Sequence, residues 1–517
     1  MDLPPPRTTP WASPATRHRP LRDDATADVV VVGGGITGLT TAALLARGGA
    51  SVRVLEAGTL AQGTTGASTA KVSALQGLRY SKLRRVHGER VLAPYAAAQV
   101  AARDWVTERV FARGVECDLE QRHAVSYTND PGRVDDVEAE AHAAQLAGLD
   151  VELLSDDPEL PWGIARAVRL GDQLQLDPRA WVADLAAEVA EHEGSAVHEE
   201  SRVLGFADRG RTAVTAEGRV RAAHVVLATL LPISDRGLFF ARAEPDMSYS
   251  VAVTVEATRP VGMYLGADQP TRSLRTATLD GREVLLVGGG GHVVGRRTDT
   301  DAEHRDLISW ADRWFGVTEV LRRWAAHDYQ SIDQLPYVGR ADRLPGSPWV
   351  ATGFNKWGMS NGTAAAMTLA AALGGEVPEA DRPWDDLFDP RRLEGWSGAR
   401  EAASLNAAVA TQMVKGWAAP TSSTTASGPE VGRHVGVPAA RMTRPTTSST
   451  EGDEPCRLAL VCTHLGGIVR WNEAERTWDC PLHGSRFAAD GTVVTAPATR
   501  ALRRLGGGAD DRAGASS

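Results

Sequence analysis

The sequence predicts an α/β fold with an interleaved antiparallel sheet, followed by a small all-β domain at the carboxyl end. A glycine-rich turn at residues 33–38 stands between a short apolar strand and a helical pattern. Residues 247–290 alternate apolar and polar side chains, as antiparallel strands do. Two Cys/His pairs lie beyond a stretch at 418–452 that is rich in Ser, Thr, Pro and Gly, a composition typical of a linker.

The composition is that of a globular protein with several domains. A length of 517 residues favours about three domains. Apolar residues make up 43% and charged residues 23%, which excludes disorder of the whole chain. Because the net charge is −9, we expect no nucleic-acid partner. No apolar run approaches the ~20 residues of a membrane span, and the Pro-rich beginning lacks the apolar core of a signal peptide, so we expect a cytoplasmic protein.

The first strand, turn and helix have the pattern of a dinucleotide site. Gly33 permits the tight turn, Gly35 allows the backbone to approach a pyrophosphate, and Gly38 allows the helix to pack on the strand. Glu56 ends the next strand, where its carboxylate can accept hydrogen bonds from a ribose diol. This context favours a nucleotide site over a purely structural glycine turn.

The remaining elements follow in chain order. Asp177 and Pro178 open a helix, because proline is favoured in the first helical turn. The predicted elements are helices over most of 80–150, a helix from 177 to about 193, strands at 196–206, 212–216 and 220–229, antiparallel strands over 247–290, a helix at about 300–315, and a strand, loop and helix over 350–367.

Two Cys/His pairs near the end of the chain predict a metal site. Cys462 and His464 form one pair, and Cys480 and His483 form the other. Thiolate and imidazole ligands suit zinc or an iron–sulfur cluster. Each loop mixes one Cys with one His, which favours a [2Fe–2S] centre over zinc, although a structural zinc site stays an alternative.

The segment VVVVGGGITGLTTAALLARGGASVRVLEAG resembles the amino-terminal FAD motif of D-amino-acid-oxidase-like flavoproteins. Three later segments resemble further FAD-contacting parts of that family: GASTAKVSALQG at 66–77, HVVLAT at 224–229 and VATGFNKWGMSN at 350–361. The resemblance implies non-covalent FAD, and Cys117 gives no support for a covalent link. The implied FAD-binding residues are Gly33, Gly35, Gly38, Glu56, Ala57, Ser68, Thr69, Val203, Ala228, Gly353, Gly358, Met359 and Ser360.

The strings CTHLGG and CPLHGSRF resemble the cluster-binding loops of Rieske [2Fe–2S] domains. The resemblance implies that Cys462 and Cys480 hold the inner iron, and that His464 and His483 hold the outer one. Gly467 and Leu482 stand where many respiratory Rieske domains place two extra, disulfide-bonded cysteines. Ser485 is retained as a hydrogen-bond donor to the cluster, but Phe487 stands where those domains place a tyrosine. Losing that donor implies a reduction potential below the respiratory range.

The two resemblances together imply a division of the chain. We expect an arm at 1–26, an FAD-dependent oxidoreductase at 27–400, a helix end and flexible linker at 401–452, a Rieske core at 453–505 and a disordered tail at 506–517. Cys456 is expected in a buried strand. Within the oxidoreductase, the FAD-binding segments are about 27–80, 165–235 and 330–375, and the substrate-domain segments are about 81–164 and 236–329.

This architecture implies an enzyme that oxidises a small amine or amino acid. The FAD would take a hydride, and the cluster would pass electrons one at a time to an unidentified external acceptor. A second hypothesis is an NAD(P)H-fed reductase that binds nicotinamide at Gly288 to Gly291, although Val293 occupies the position of the third glycine. A third is a redox sensor or electron carrier without turnover.

Four residues are candidates for the substrate site. Tyr249, Arg275 and His292 lie in the antiparallel region, and Lys356 lies in the last FAD segment. Arg275 is the candidate for pairing with a substrate carboxylate. The sequence identifies no catalytic acid or base.

Overall fold

The computed structural model describes residues 4–13, 16–297, 299–378, 381–392, 396–418, 430–433, 445–449 and 456–505. Its helices are α1 (Ile36–Arg47), α2 (Thr64–Ala67), α3 (Arg79–His87), α4 (Leu92–Arg113), α5 (Val134–Leu146), α6 (Pro178–Glu191), α7 (Asp301–Phe315), α8 (Gly358–Ala372), α9 (Asp385–Phe388) and α10 (Trp396–Ala418). Short 3₁₀ turns occur at Glu89–Val91, Pro131–Arg133, Asp208–Gly210 and Phe239–Ala241.

The strands up to the end of the oxidoreductase region are β1 (Ala25–Val32), β2 (Val52–Leu55), β3 (Lys71–Val72), β4 (Glu120–Thr128), β5 (Val151–Leu154), β6 (Arg166–Gln175), β7 (Ala196–His198), β8 (Gly205–Ala207), β9 (Thr212–Val214), β10 (Arg219–Leu227), β11 (Ala243–Val255), β12 (Met263–Gly266), β13 (Arg272–Leu279), β14 (Arg282–Val293), β15 (Val317–Ser331), β16 (Tyr337–Arg340) and β17 (Trp349–Thr352). The later strands are β18 (Glu430–Arg433), β19 (Pro445–Ser449), β20 (Cys456–Ala459), β21 (Arg470–Asn472), β22 (Thr477–Asp479), β23 (Arg486–Ala488), β24 (Val493–Thr495) and β25 (Arg504–Leu505).

The first sheet is the predicted nucleotide-binding sheet. Its main order is β16-β17-β10-β1-β2-β7, and β1 pairs in parallel with both β10 and β2. Residues 29–32 of β1 are all buried, as expected for a central parallel strand whose two faces are covered. The predicted strand, glycine turn, helix and second strand are confirmed as β1, residues 33–35, α1 and β2.

The second sheet corresponds to the predicted antiparallel sheet, except that β12 and β4 pair in parallel, so the sheet is mixed. Its main order is β15-β11-β14-β13-β12-β4-β6-β3. One face packs on α7, where Leu307 and Phe315 share a core with Val251 and Val287. Because strand side chains alternate between faces, Ser250 points to the opposite face, where it lines a cavity of about 1550 Å³.

The carboxyl-terminal part contains two antiparallel four-stranded sheets, in the orders β18-β19-β20-β25 and β21-β22-β23-β24. Helix α10 extends to Ala418, so the helix end expected within 401–452 is present. The flexible linker expected after it is wrong at residues 430–433 and 445–449, which form strands because β18 pairs with β19 and β19 pairs with β20. The rest of that linker and the 506–517 tail lie outside the described residues. Cys456 begins β20, so its predicted strand position is confirmed.

The amino-terminal arm packs against the body of the protein. Trp11 is buried, and its indole Nε1 donates to the carbonyl of Ser68 at 2.9 Å. The guanidinium of Arg275 lies 5.2 Å from the centre of the Trp11 ring. Within the described residues, no helix has the length and apolar character needed to cross a membrane.

Candidate functional site

The glycine turn after β1 has geometry that only glycine allows. Gly33 has φ +115°, and a Cβ there would lie 2.4 Å from the carbonyl oxygen of Ala228. A Cβ on Gly38 would lie 2.0 Å from the carbonyl oxygen of Gly33. The turn therefore holds the start of α1 close to β1 and β10, with the helix amino terminus facing the cavity, as a phosphate-binding turn does.

Glu56 lies directly after β2, beside this turn. Its half-buried carboxylate accepts hydrogen bonds from the backbone N–H of Gly34 at 2.7 Å and of Gly58 at 2.8 Å. Desolvation raises the pKa of Glu56, and the hydrogen bonds from the backbone of Gly58 and Gly34, followed by the charge of Arg202, partly offset this effect. The position and acceptor chemistry of this carboxylate fit the predicted ribose contact.

A cavity of about 1550 Å³ extends from the glycine turn into the space between the two large sheets. It exceeds the usual volume of a site for a small ligand, so it has room for a dinucleotide and a substrate. The predicted FAD-binding residues that line it are Gly33, Gly35, Glu56, Ala57, Ser68, Thr69, Val203, Ala228, Gly358 and Met359. The glycine turn, the Glu56 carboxylate and this lining fit FAD.

Three predicted FAD-binding residues lie behind the cavity wall. Gly38 packs beneath the glycine turn, as described above. Gly353 has φ +75° and approaches Ser331, whose Cβ would lie 3.1 Å from a Cβ on this glycine. The Ser360 hydroxyl donates to the carbonyl of Ser73 at 3.1 Å and accepts the N–H of Ser73 at 2.9 Å. These residues support the wall from behind.

The prediction that Arg275 pairs with a substrate carboxylate is wrong. Its buried guanidinium donates to backbone carbonyls, including those of Thr69 at 2.6 Å and Thr276 at 2.8 Å. Burial lowers the pKa of Arg275 to about 9. The side chain is turned away from the cavity, because the carbonyls of the neighbouring loop need its donors.

Tyr249 and His292 contact each other. The Tyr249 hydroxyl lies 3.1 Å from His292 Nε2, and the rings stack at 5.6 Å. His292 Nδ1 lies 3.0 Å from the carbonyl of Val293, so Nδ1 donates and Nε2 accepts in a neutral ring. Burial lowers the pKa of His292 and raises that of Tyr249. Tyr249 borders the cavity and His292 does not, so the two residues in contact do not together line a substrate site there.

Lys356 lines the cavity in an acidic setting. Its Nζ lies 3.0 Å from Asp246 Oδ2, and its backbone N–H donates to the carboxylate of Asp328. The other carboxylate oxygen of Asp246, Oδ1, is buried and has no hydrogen-bond partner within the described part of the chain. Burial raises the pKa of Asp328 to about 6. Two carboxylates and one ammonium thus form a polar wall on strands β11 and β15 and the last FAD segment.

Lys71 is a cavity residue that the sequence reasoning missed. Its side chain is buried, and Nζ donates to the Tyr264 carbonyl at 3.0 Å and to the Ser273 hydroxyl at 2.7 Å. Burial lowers the pKa of Lys71 to about 7, and the like charge of Arg275 adds to the effect. A buried lysine with only neutral acceptors is costly, which marks it as a functional candidate. The sequence did contain a signal for Lys71: it is one of four lysines in the chain, and it lies within 66–77, a segment that resembles an FAD-contacting part of the family.

The second glycine run is part of a strand. Gly288 pairs with Ser250 of β11 on one side and with Ser273 of β13 on the other. Strand β14 continues through this run to Val293, and helix α7 begins only at Asp301. The alternative of a nicotinamide-binding turn at Gly288 to Gly291 is therefore wrong.

The two predicted metal-binding loops converge. Cys462 and Cys480 are both buried, and a hydrogen bond from the Cys480 thiol lowers the pKa of Cys462. The ring centres of His464 and His483 lie 5.2 Å apart, and the buried Nδ1 of His464 has no hydrogen-bond partner among the described residues. In the part of the chain that the structure describes, no three His, Cys, Asp or Glu side chains meet as ligands of a single ion. Paired thiols beside paired imidazoles fit a two-iron cluster better than tetrahedral zinc.

The residues that were compared above with those of respiratory Rieske domains lie around Cys462 and Cys480. The Ser485 hydroxyl hydrogen-bonds to Cys462, which helps to lower the pKa of that thiol. A Cβ on Gly467 would lie 2.6 Å from the Leu482 side chain, so these two positions pack directly together. Phe487 is fully buried in the same core as Cys462 and Cys480.

Comparisons with known proteins agree with this geometry. The family model for FAD dependent oxidoreductases matches residues 28–372, and the Rieske [2Fe-2S] domain model matches residues 446–506. A Bacillus subtilis (strain 168) protein with the provisional name Rieske 2Fe-2S iron-sulfur protein YhfW is 32% identical over 492 residues, covering 94% of each chain.

Two solved structures share the fold of the oxidoreductase region. Glycine oxidase from Geobacillus kaustophilus has a TM-score of 0.58 and 19% identity, covering 72% of this chain and 100% of that one. L-proline dehydrogenase from P. horikoshii has a TM-score of 0.59 and 19% identity, covering 72% of this chain and 98% of that one.

Proposed function

Because the chain belongs to the FAD-dependent oxidoreductase family and ends in a Rieske [2Fe–2S] domain, we propose that it oxidises a C–N bond in a small amine or amino acid and delivers the electrons singly to an external one-electron acceptor. FAD supplies a two-electron acceptor and the cluster a one-electron carrier. The observation that carries the proposal is one shared cavity: Gly33 of the nucleotide turn and Thr495 and Ala496 of the Rieske region all line it.

In this proposal, the predicted residues hold the two cofactors. FAD would be held by the cavity-lining residues named above, which Gly38, Gly353 and Ser360 support from behind. The cluster would be held by Cys462, Cys480, His464 and His483. The domain division follows the same lines, with the oxidoreductase over 27–400 and the Rieske core over 453–505.

The proposed substrate lies beside Lys71 and the polar wall of Asp246, Asp328 and Lys356. Oxidation of an amine by hydride loss requires a neutral nitrogen. A lysine that loses its proton near pH 7 can accept a proton from the substrate ammonium. The carbon then loses a hydride, and the C–N bond becomes a C=N bond. The named substrates of the two solved structures, glycine and L-proline, support a substrate of this class.

The experiment that tests this function is an anaerobic screen of the holoprotein. Amines and amino acids are mixed with it one by one while flavin absorbance is followed, with NADH and NADPH as comparison reductants. We expect bleaching with one or more amines or amino acids and none with either nicotinamide. Rapid bleaching by NADH or NADPH, or none by any amine or amino acid, would contradict the proposal.

A further inference from the structure

The oxidoreductase region covers the histidine edge of the cluster-binding loops. The Phe240 ring packs edge-on against His464 at 5.5 Å and against His483 at 5.1 Å. His464 Nε2 lies 3.1 Å from the Asp235 carboxylate, and the His464 side chain is only 9% exposed. Both imidazoles therefore face residues that follow strand β10, and solvent reaches them little.

The cluster-binding loop that contains Cys480 and His483 packs against strand β15. The hydroxyl of the fully buried Tyr329 donates to the His483 carbonyl at 2.7 Å. The next residue, Gly484, has φ +74°, and a Cβ there would lie 2.8 Å from the Tyr329 hydroxyl and 2.6 Å from Pro245. Only glycine fits this contact, so the loop and β15 are shaped to each other.

We propose that the oxidoreductase region completes the environment of the cluster, with Asp235 orienting and polarising His464 and Tyr329 fixing the loop of His483. Asp235 engages Nε2 of His464, while the buried Nδ1 has no hydrogen-bond partner among the residues that the structure describes, which leaves Nδ1 free to bind iron. Tyr329 thereby brings a hydroxyl from outside the Rieske region to loops whose own sequence has Phe487. The proposal depends on the [2Fe–2S] centre and is independent of the substrate and of electron transfer from the flavin.

The contact with Asp235 should change the reduction potential of the cluster in one direction. A carboxylate that accepts the imidazole N–H makes that ligand more electron-rich, which favours the oxidised cluster. Asp235 therefore lowers the reduction potential, and removing its charge raises the potential. The Asp235 side chain is 64% exposed, so solvent screening keeps the effect moderate.

The first test is a redox titration of the full holoprotein, monitored through the EPR signal of the reduced cluster. Asp235→Asn is compared with the wild type and with Asp150→Asn, which removes an exposed carboxylate on another surface. At the same solution potential, we expect the ratio of reduced to oxidised cluster to be three- to tenfold higher in Asp235→Asn than in the wild type. A tenfold change corresponds to about 59 mV for one electron. An Asp235→Asn potential equal to that of the control would overturn the role of Asp235.

The second test measures how well the region covers the cluster. The cluster is reduced with dithionite, and its reoxidation by ferricyanide is timed in Tyr329→Phe and in Tyr127→Phe, a buried tyrosine on β4. We expect several-fold faster reoxidation in Tyr329→Phe only, with an altered EPR line shape. Equal rates and spectra in wild type and both variants would overturn the role of Tyr329. Flavin absorbance and the cluster signal establish that each variant is folded and loaded.

Discussion

The nucleotide turn and the polar wall line the same cavity but are built by different means. The turn is made of backbone, with glycines that leave no room for a Cβ between β1, α1 and β10. The polar wall and Lys71 instead depend on charged side chains that come from distant strands, and Lys71, Asp246 and Asp328 among them are buried. The difference teaches that one end of the cavity is fixed by steric fit, whereas the other end responds to protonation.

The largest expected effect tests the protonation half of this comparison. Lys71→Met keeps the buried stem but removes the amine. We expect the rate of flavin reduction by an amine to fall about 10²–10⁴-fold, the usual contribution of a proton acceptor. In the wild type the rate should rise with pH through about 7, since Lys71 must be neutral to accept a proton, and this rise should vanish in the variant. Lys415→Met, on the exposed end of α10, is the matched control.

The same lysine predicts a pH dependence of stability. Its pKa is about 7 in the folded protein and about 10.4 in an unfolded chain, so the unfolded chain binds more protons between these values. The free energy of unfolding of the wild type should therefore rise with pH over this window, relative to that of Lys71→Met. Chemical denaturation at several pH values measures it. A difference that stays constant with pH would show that the pKa of Lys71 is not lowered.

The next prediction tests whether the glycine turn is fixed by steric fit. Gly38→Ala places a methyl group against the Gly33 carbonyl, and neither backbone can move freely. We expect a loss of about 1–3 kcal/mol in stability, as for other overpacked sites, together with weaker FAD retention. Thermal unfolding and the flavin content after dialysis measure the two effects. Gly163→Ala, where a Cβ meets open space, should leave both unchanged; equal losses in the two variants would contradict the steric account.

The smallest effect on activity concerns Arg275. Arg275→Lys removes donors from the carbonyls of residues 69 and 276, and buried unsatisfied carbonyls cost about 1–3 kcal/mol. We expect lower stability but an unchanged concentration of amino acid for half-saturation of flavin reduction. Arg305→Lys, on the exposed surface of α7, serves as the control. A large rise in the half-saturating concentration would restore Arg275 as a carboxylate partner.

The sequence predicted what local backbone geometry determines. The glycine turn, α1, Glu56 and the spacing of the Cys/His loops each depend on neighbouring residues, and all took the expected form. Arg275 and Lys71 depend on how β13, β12, β4, β6 and β3 pair across more than 200 residues, which a local pattern does not contain. The strands at 430–433 and 445–449 were missed for a related reason: their composition is that of a linker, and they are strands because β18 pairs with β19 and β19 pairs with β20.

The most direct test of the account is whether electrons placed on the flavin reach the cluster within one molecule. The holoprotein is mixed anaerobically with a reducing amine or amino acid, frozen at increasing times, and examined by EPR at protein concentrations that differ tenfold. The account predicts a Rieske-type signal that follows flavin reduction at a rate independent of protein concentration. A flavin that stays reduced beside an oxidised cluster would contradict it, as would a rate proportional to protein concentration.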